Sequence, residues 1–400
     1  MEPEASRVKH GFVREVFWTF LRLGTTSFGG PIAHLAYFRR TFVEERHWLD
    51  EATFARIVAF CSVLPGPTSS QVGMLVGLTR GGPPGALLAW LGFTGPSAIL
   101  MTLFAALLVG AEGRAMPSWY GGLLDGLFAA AAGVVAQAVW GLGKALVTDL
   151  ATGFIAAGAF GLALALRGLP GLQWLPIAAG AAAGALALHG TVKAEGLPIR
   201  VPRAAALASG ALVVVLVGLT LLPHVGPALA LAATLVRAGS LVFGGGHVVL
   251  PLLQAAVSDG LVSARDFFAG YGAAQAMPGP LFTFAAFLGY ANRSPLHGVL
   301  GALVATLLIF GPSFAMIFAL APVWNRIAAL PRAGGALRGA NASVVGLLAA
   351  VLYDPILVGL GWQWARLAIG ALAFVALLRL KVAPWIVVLA AAAVGAAVRA

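Results

Sequence analysis

Apolar runs of about 17–29 residues follow one another along almost the whole chain. They lie near 15–33, 52–80, 84–110, 120–143, 150–167, 172–190, 204–222, 226–250, 264–291, 296–320, 336–353, 355–378 and 382–399. About 20 apolar residues span the hydrocarbon core of a bilayer. Of the 400 residues, 60% are hydrophobic and 10% charged, against roughly 25% charged in average soluble proteins. No polar stretch is long enough for a soluble domain. The expectation is an all-α integral membrane protein, polytopic, with about 10–14 spans, some of them half-helices. Abundant Gly (52) and Pro (23) suit close helix packing and broken helices.

The formal net charge is +11, yet Lys and Arg stand singly between apolar runs. That pattern fits loops facing anionic lipid headgroups and excludes a nucleic-acid arm. One cysteine, Cys61, gives neither a disulfide framework nor a zinc cluster. The mixed-charge start "MEPEASRVKHGFVREVFW" lacks a signal peptide's pattern. GxxxxGK[ST], HExxH and GxSxG are missing, so neither ATP hydrolysis nor protease or esterase chemistry is expected. No cofactor, no metal and no enzyme activity is anticipated.

The chain repeats itself. "RLGTTSFGGPIAHL" at 22–35 matches "RAGSLVFGGGHVVL" at 237–250, and "CSVLPGPTSSQ" at 61–71 matches "AQAMPGPLFTF" at 274–284. "GPSAILMTLFAALL" at 95–108 matches "GPSFAMIFALAP" at 311–322, and "GGLLDGLFAAAAGVV" at 121–135 matches "GGALRGANASVVGLL" at 334–348. The offsets are 215, 213, 216 and 213 residues, which argues for two homologous halves. The division reads as an N-terminal tail 1–14, a first repeat 15–192, a linker 193–225 holding one span, and a second repeat 226–400. With six spans per half and one linker span, the halves become inverted repeats, whose site lies at their interface near midplane.

Two prolines flanking a glycine should break a helix. A break is tolerated inside a membrane only where it faces protein or a watery cavity. Pro65-Gly66-Pro67 and Pro278-Gly279-Pro280, with Phe28-Gly29-Gly30 and the matching glycines Gly244 and Gly245, either pack helices closely or bind. In the second reading, glycine backbone approaches a ligand and helix N-termini attract an anion. Thr68, Ser69, Ser70 and Gln71 add donors in the first half. Gln275 stands just before the second break.

Arg22 and Arg237 occupy matching places inside apolar runs, where charge faces a cavity or snorkels to the interface. The loop "YFRRTFVEERHWLDE" at 37–51 holds Arg39, Arg40, Glu44, Glu45, His47 and Asp50. It reads as a solvated helix with pairs such as Arg40–Glu44, or as an electrostatic gate. Asp125, aligned with Arg338, is a proton site or an ion-pair member. His34 and His247 follow the two "FGG" motifs, either as titrating groups or as structural histidines.

These blocks resemble the chromate ion transporters in their long, two-domain form. The carrying pieces are "FGGPIAHLAYFRRTFVEERHWLDEATFA" with "LPGPTSSQ", then "FGGGHVVLPLLQ", "MPGPLFTFAAFLGY" and "GANASVVGLL". Where the family often reads Cys-Gln before "LPGP", this chain has Cys61-Ser62. The resemblance implies a multi-pass secondary transporter of the cytoplasmic (inner) membrane that exports chromate, usually with proton coupling and with sulfate as natural competitor. The expected partners are chromate or sulfate, protons and membrane lipid, with no nucleic acid and a homodimer left open. On this reading "FGG", "PGP", Ser69, Ser70 and Gln71 bind the anion, and Arg22, Arg39 and Arg40 attract it. His34, Glu44, Glu45, His47, Asp50 or Asp125 would couple or gate. A transporter of another dianion, a membrane-embedded enzyme and a non-transporting scaffold are the alternatives.

Overall fold

The computed structural model describes residues 4–399 except 112–113, 168, 170–171, 173, 189–196, 198–200, 221–225, 244–245, 247–248, 259, 329, 331 and 362. The regular elements among the described residues are all helices, with no strand. Among the described residues, four helices are long and apolar enough to cross a membrane by length and composition: Thr68–Ala111, Ser118–Leu146, Gly298–Val323 and Ala333–Leu360. Seven further apolar helices have 10–17 residues, many of them too short to cross alone.

The first half contains α1 (Glu4–Thr26), α2 (Gly30–Arg39), α3 (Glu51–Val63), α4 (Thr68–Ala111), α5 (Ser118–Leu146), α6 (Leu150–Ala165) and α7 (Leu175–Ala187). Thus α1 begins inside the stretch read as a tail. A lone helix, α8 (Arg203–Leu219), precedes the second half. That half contains α9 (Pro227–Leu241), α10 (Val249–Leu253), α11 (Ala264–Gln275), α12 (Phe284–Ala291), α13 (Gly298–Leu320), α14 (Ala333–Val351), α15 (Trp364–Leu378) and α16 (Pro384–Arg399).

The breaks fall where the prolines demand them. Helix α3 stops at Val63, Leu64 turns extended, and Gly66 takes φ +120° before α4 starts at Thr68. Helix α11 stops at Gln275, Gly279 takes φ +89°, and one 3-10 turn leads into α12. Helix α4 is itself two helices, 68–81 and 83–111, joined at Gly82 (φ +63°). Pro83 and Pro84 open the second piece, where a missing N–H costs nothing.

The two pieces of α4 touch through glycine. A Cβ on Gly77 would lie 2.4 Å from the Gly85 carbonyl oxygen, and one on Gly85 2.2 Å from that of Gly77. Gly289 and Gly301 repeat the contact between α12 and α13, at 2.2 and 2.1 Å. Small residues thus let backbones approach as membrane helices require.

The halves are interwoven. Helix α5 of the first packs against α15 and α16 of the second, and α14 of the second packs against α6 and α7 of the first. A Cβ on Gly126 would lie 2.2 Å from the Ala391 carbonyl oxygen, and one on Gly339 2.0 Å from that of Gly180. Each half therefore closes the other's core.

Candidate functional site

The two Pro-Gly-Pro breaks bond crosswise to the residues that immediately precede the two Phe-Gly-Gly motifs. The Gly66 amide of the first half donates to the Val242 carbonyl, immediately before Phe243, at 2.7 Å. The Gly279 amide of the second half donates to the Ser27 carbonyl, immediately before Phe28, at 2.8 Å. Ser27 and Val242 hold matching places in the repeats, as do Gly66 and Gly279. The residues aligned by sequence thus exchange hydrogen bonds across a pseudo-twofold relation.

Around this crossing lie buried polar groups with no partner among the described residues. Ser27, Ser70 and Ser313 are almost fully buried, and among the described residues their hydroxyl oxygens have no hydrogen-bond partner. The same holds for Oε1 of buried Gln71 and Nε2 of Gln275. Gln71 does donate Nε2 to the Pro65 carbonyl at 2.8 Å, tying the break closed. Unpaired buried donors and acceptors are expensive, and each one calls for an explanation. Two of these side chains stand at Gly66, where an added Cβ would meet Ser313 Oγ at 2.5 Å and Gln71 Nε2 at 2.9 Å. A Cβ on Gly279 would meet Ser97 Oγ, the repeat equivalent of Ser313, at 2.8 Å. Only glycine leaves room there, and positive φ demands it as well.

A cavity of about 350 Å³ opens beside the crossing. Gly29 and Gly30 at the start of α2, Gln137 of α5, and Gly246, Gln275 and Gly279 of the second half line it. Gly29 and Gly30 both have positive φ, +101° and +77°, so the chain turns sharply there and α2 starts with its N–H groups at the cavity. Phe28 packs at a tilt against Trp385 of the opposite half, with centroids 5.8 Å apart. His34 is buried, with Nδ1 3.3 Å from Ser69 Oγ and its ring edge-on to Phe93. Thr68 is half-buried at the start of α4, and Pro65, Pro67, Pro278 and Pro280 form the walls of the breaks. Gly244, Gly245 and His247 lie outside the described residues.

The arginines gather elsewhere. Arg22, Arg40 and Arg46 line an open groove between α1 and the end of α2, with Glu45, Tyr37 and Thr26. Arg22 is exposed, whereas its repeat mate Arg237 is buried and donates Nε to the Ala233 carbonyl at 3.3 Å. The matching positions therefore carry different environments.

In the charged loop, residues Arg40–Glu45 form a π-helical turn, and the Arg46 amide reaches back five residues to Thr41. Hydrogen bonding at i→i+5 stacks side chains five apart. The pair Arg40–Glu44 expected at four-residue spacing is replaced by Arg40–Glu45 at 2.8 Å and by Arg39–Glu44. Arg39 also binds Glu51 at 2.9 Å, which raises its pKa further. Asp50 caps α3 by accepting from the Thr53 amide, and that bond holds its carboxyl below the usual range. His47, with φ +49°, has Nδ1 2.8 Å from the Val43 carbonyl oxygen. Behind the loop, Glu15 bridges Arg46 and Arg80 at 2.9 and 3.1 Å. Sequence reasoning missed Glu15 because its partners lie 31 and 65 residues away.

Asp125 is buried and pairs with Arg366 at 2.9 Å and Arg265 at 3.6 Å, both from the second half. Its aligned residue Arg338 pairs instead with Asp149. Asp125 is thus an ion-pair member between halves.

Comparison with known proteins agrees with this architecture. The sequence model of the family described as "Chromate transporter" matches residues 14–185 and again 229–396. The "Chromate transport protein" of Pseudomonas aeruginosa is 29% identical over 346 residues, covering 85% of this chain and 80% of that protein. The "Chromate transport protein" of Cupriavidus metallidurans is 26% identical over 339 residues, covering 84% and 80%. An "Uncharacterized transporter YwrB" of Bacillus subtilis is 34% identical over 172 residues, which make up 42% of this chain but 85% of the other. No solved structure matches the chain. Two successive matches to one transporter model, over two halves that exchange their breaks and turns, make this chain a multi-pass membrane protein of the chromate transporter family.

Proposed function

We propose that the chain is a secondary active transporter exporting chromate across the cytoplasmic membrane, coupled to protons, with its halves as inverted repeats. The carrying observation is the reciprocal pair Gly66–Val242 and Gly279–Ser27, with buried side-chain groups on Ser27, Ser70, Gln71, Gln275 and Ser313 that have no partner among the described residues. Neutral donors on rigid, oppositely paired breaks suit a dehydrated tetrahedral oxyanion, as hydroxyls, amides and helix N-termini provide. Family membership and relatives named for chromate transport support the cargo.

The arginines act before binding. The groove of Arg22 and Arg40 lies between α1 and the end of α2, and it raises the local anion concentration. The pairs Arg39–Glu44 and Arg40–Glu45 gate that groove. Asp50 caps a helix, and the proton step is assigned to His34, which sits against Ser69 of the binding break.

Everted membrane vesicles carrying the full chain test this. With an imposed proton gradient they should accumulate chromate, and sulfate should compete. Accumulation of neither anion sinks the transport reading. Stronger uptake of sulfate than of chromate would assign the site to the other dianion.

A further inference from the structure

A second convergence of charge lies away from the crossing and takes no part in the reading above. An open groove of about 620 Å³ lies where the end of α4, the start of α5 and the start of α11 meet. Arg114 of the first half and Arg265 and Arg293 of the second line it. Among the described residues its one lining carboxylate is Asp266, which already accepts from Ser263 Oγ at 2.5 Å. Arg265 donates to the Gly121 carbonyl at 2.9 Å and lies 3.6 Å from Asp125 beneath. Arg114 and Arg293 are exposed, and among the described residues neither side chain has an ion pair or hydrogen bond.

We propose that this groove is a binding site for a phosphate-type tetrahedral oxyanion, distinct from the crossing. Three guanidinium forks from three separate segments surround a group with three or more oxygens better than a planar carboxylate with two. Met116 lines the groove and Trp119 stands in sequence between the lining residues Ser118 and Tyr120, 40% and 44% accessible, and Trp and Tyr mark the level of lipid headgroups in membrane proteins. The oxyanion is therefore either a lipid headgroup phosphate or a free anion at the water boundary. Bound there, it links Arg114 to Arg265 and Arg293 and so clamps one half to the other.

The test uses the full chain purified in detergent, with its thermal unfolding midpoint as readout. Inorganic phosphate is titrated against chloride at constant ionic strength. In a second arm, phosphatidylglycerol is titrated against phosphatidylcholine in mixed micelles. The expected result is a saturable rise of the midpoint in at least one arm. A rise with phosphate assigns a free anion, and a rise confined to phosphatidylglycerol assigns the headgroup. The rise should vanish in the Arg114→Gln/Arg293→Gln double variant and persist in Ser70→Ala at the crossing. No rise in either arm, or a full rise in the double variant, overturns the proposal. Should the Gln pair shift the unliganded midpoint, Arg114→Lys with Arg293→Lys keeps the charge and removes the forks. That pair should weaken the titration about tenfold, the scale of one charge-assisted hydrogen bond; an unchanged titration overturns the proposal equally.

Discussion

Gly66 and Ser313 belong to opposite halves, yet a single added carbon on Gly66 would lie 2.5 Å from the Ser313 hydroxyl. Gly279 stands in the same relation to Ser97 at 2.8 Å. Both glycines hold positive φ. Gly66→Ala and Gly279→Ala should each cost about 1–3 kcal/mol in backbone strain alone. Lower thermal midpoints and lost chromate uptake in vesicles are expected for both. Full uptake by either variant would show that the crossing is not where the anion sits.

Ser70→Ala separates binding from folding. The Ser70 hydroxyl is buried and unpaired among the described residues, so removing it lifts a desolvation cost on the order of 1 kcal/mol. Stability should hold or rise while chromate affinity falls. Gln71→Leu should lower both, because Gln71 also secures the Pro65 carbonyl.

His34→Gln tests the coupling step. Chromate exchange down its own gradient should survive, while uptake driven by a proton gradient should fail and the pH dependence of transport should flatten. Parallel loss of both modes would reduce His34 to a packing residue on Phe93 and Ser69.

Asp125→Asn leaves the Arg366 guanidinium, 19% exposed, facing a neutral amide. The loss should reach about 3 kcal/mol, the low end for breaking a buried pair because Arg265 is half exposed. Combining it with Arg366→Gln should cost less than the sum of the two single changes, read from denaturation midpoints.

Asp50 predicts a pH window. Its folded carboxyl lies below the ordinary value because the Thr53 amide and hydroxyl donate to it. Its capping contribution is therefore full above the unfolded value, roughly 3.9, and is lost as pH falls through the lower folded value. Asp50→Ala should be less stable at neutral pH, and the difference should close in acid. A constant difference across that range would exclude the cap as the cause.

Sequence alone exposed the helical class, the duplication and both breaks, because proline chemistry and apolar run length act locally. It did not expose which residues meet. Asp125 aligns with Arg338 but binds Arg366, since the halves interlock rather than stack residue on equivalent residue. Arg40 found Glu45 instead of Glu44 because a π-turn changed the spacing. Arg22 and Arg237 look equal in the repeat, yet one lines an open groove and the other is buried. Tertiary context, absent from a local pattern, decides each of these.

The exchange of closing helices has an evolutionary consequence. A half-length chain of this fold has no place for its long fifth helix until a second polypeptide supplies the missing pair. Covalent fusion turns that encounter into an intramolecular one at high effective concentration. It also frees the two copies from identity. One break could keep Thr-Ser-Ser-Gln while the other drifted to Leu-Phe-Thr-Phe, giving a single molecule a polar wall and a greasy one that no assembly of identical halves could have built.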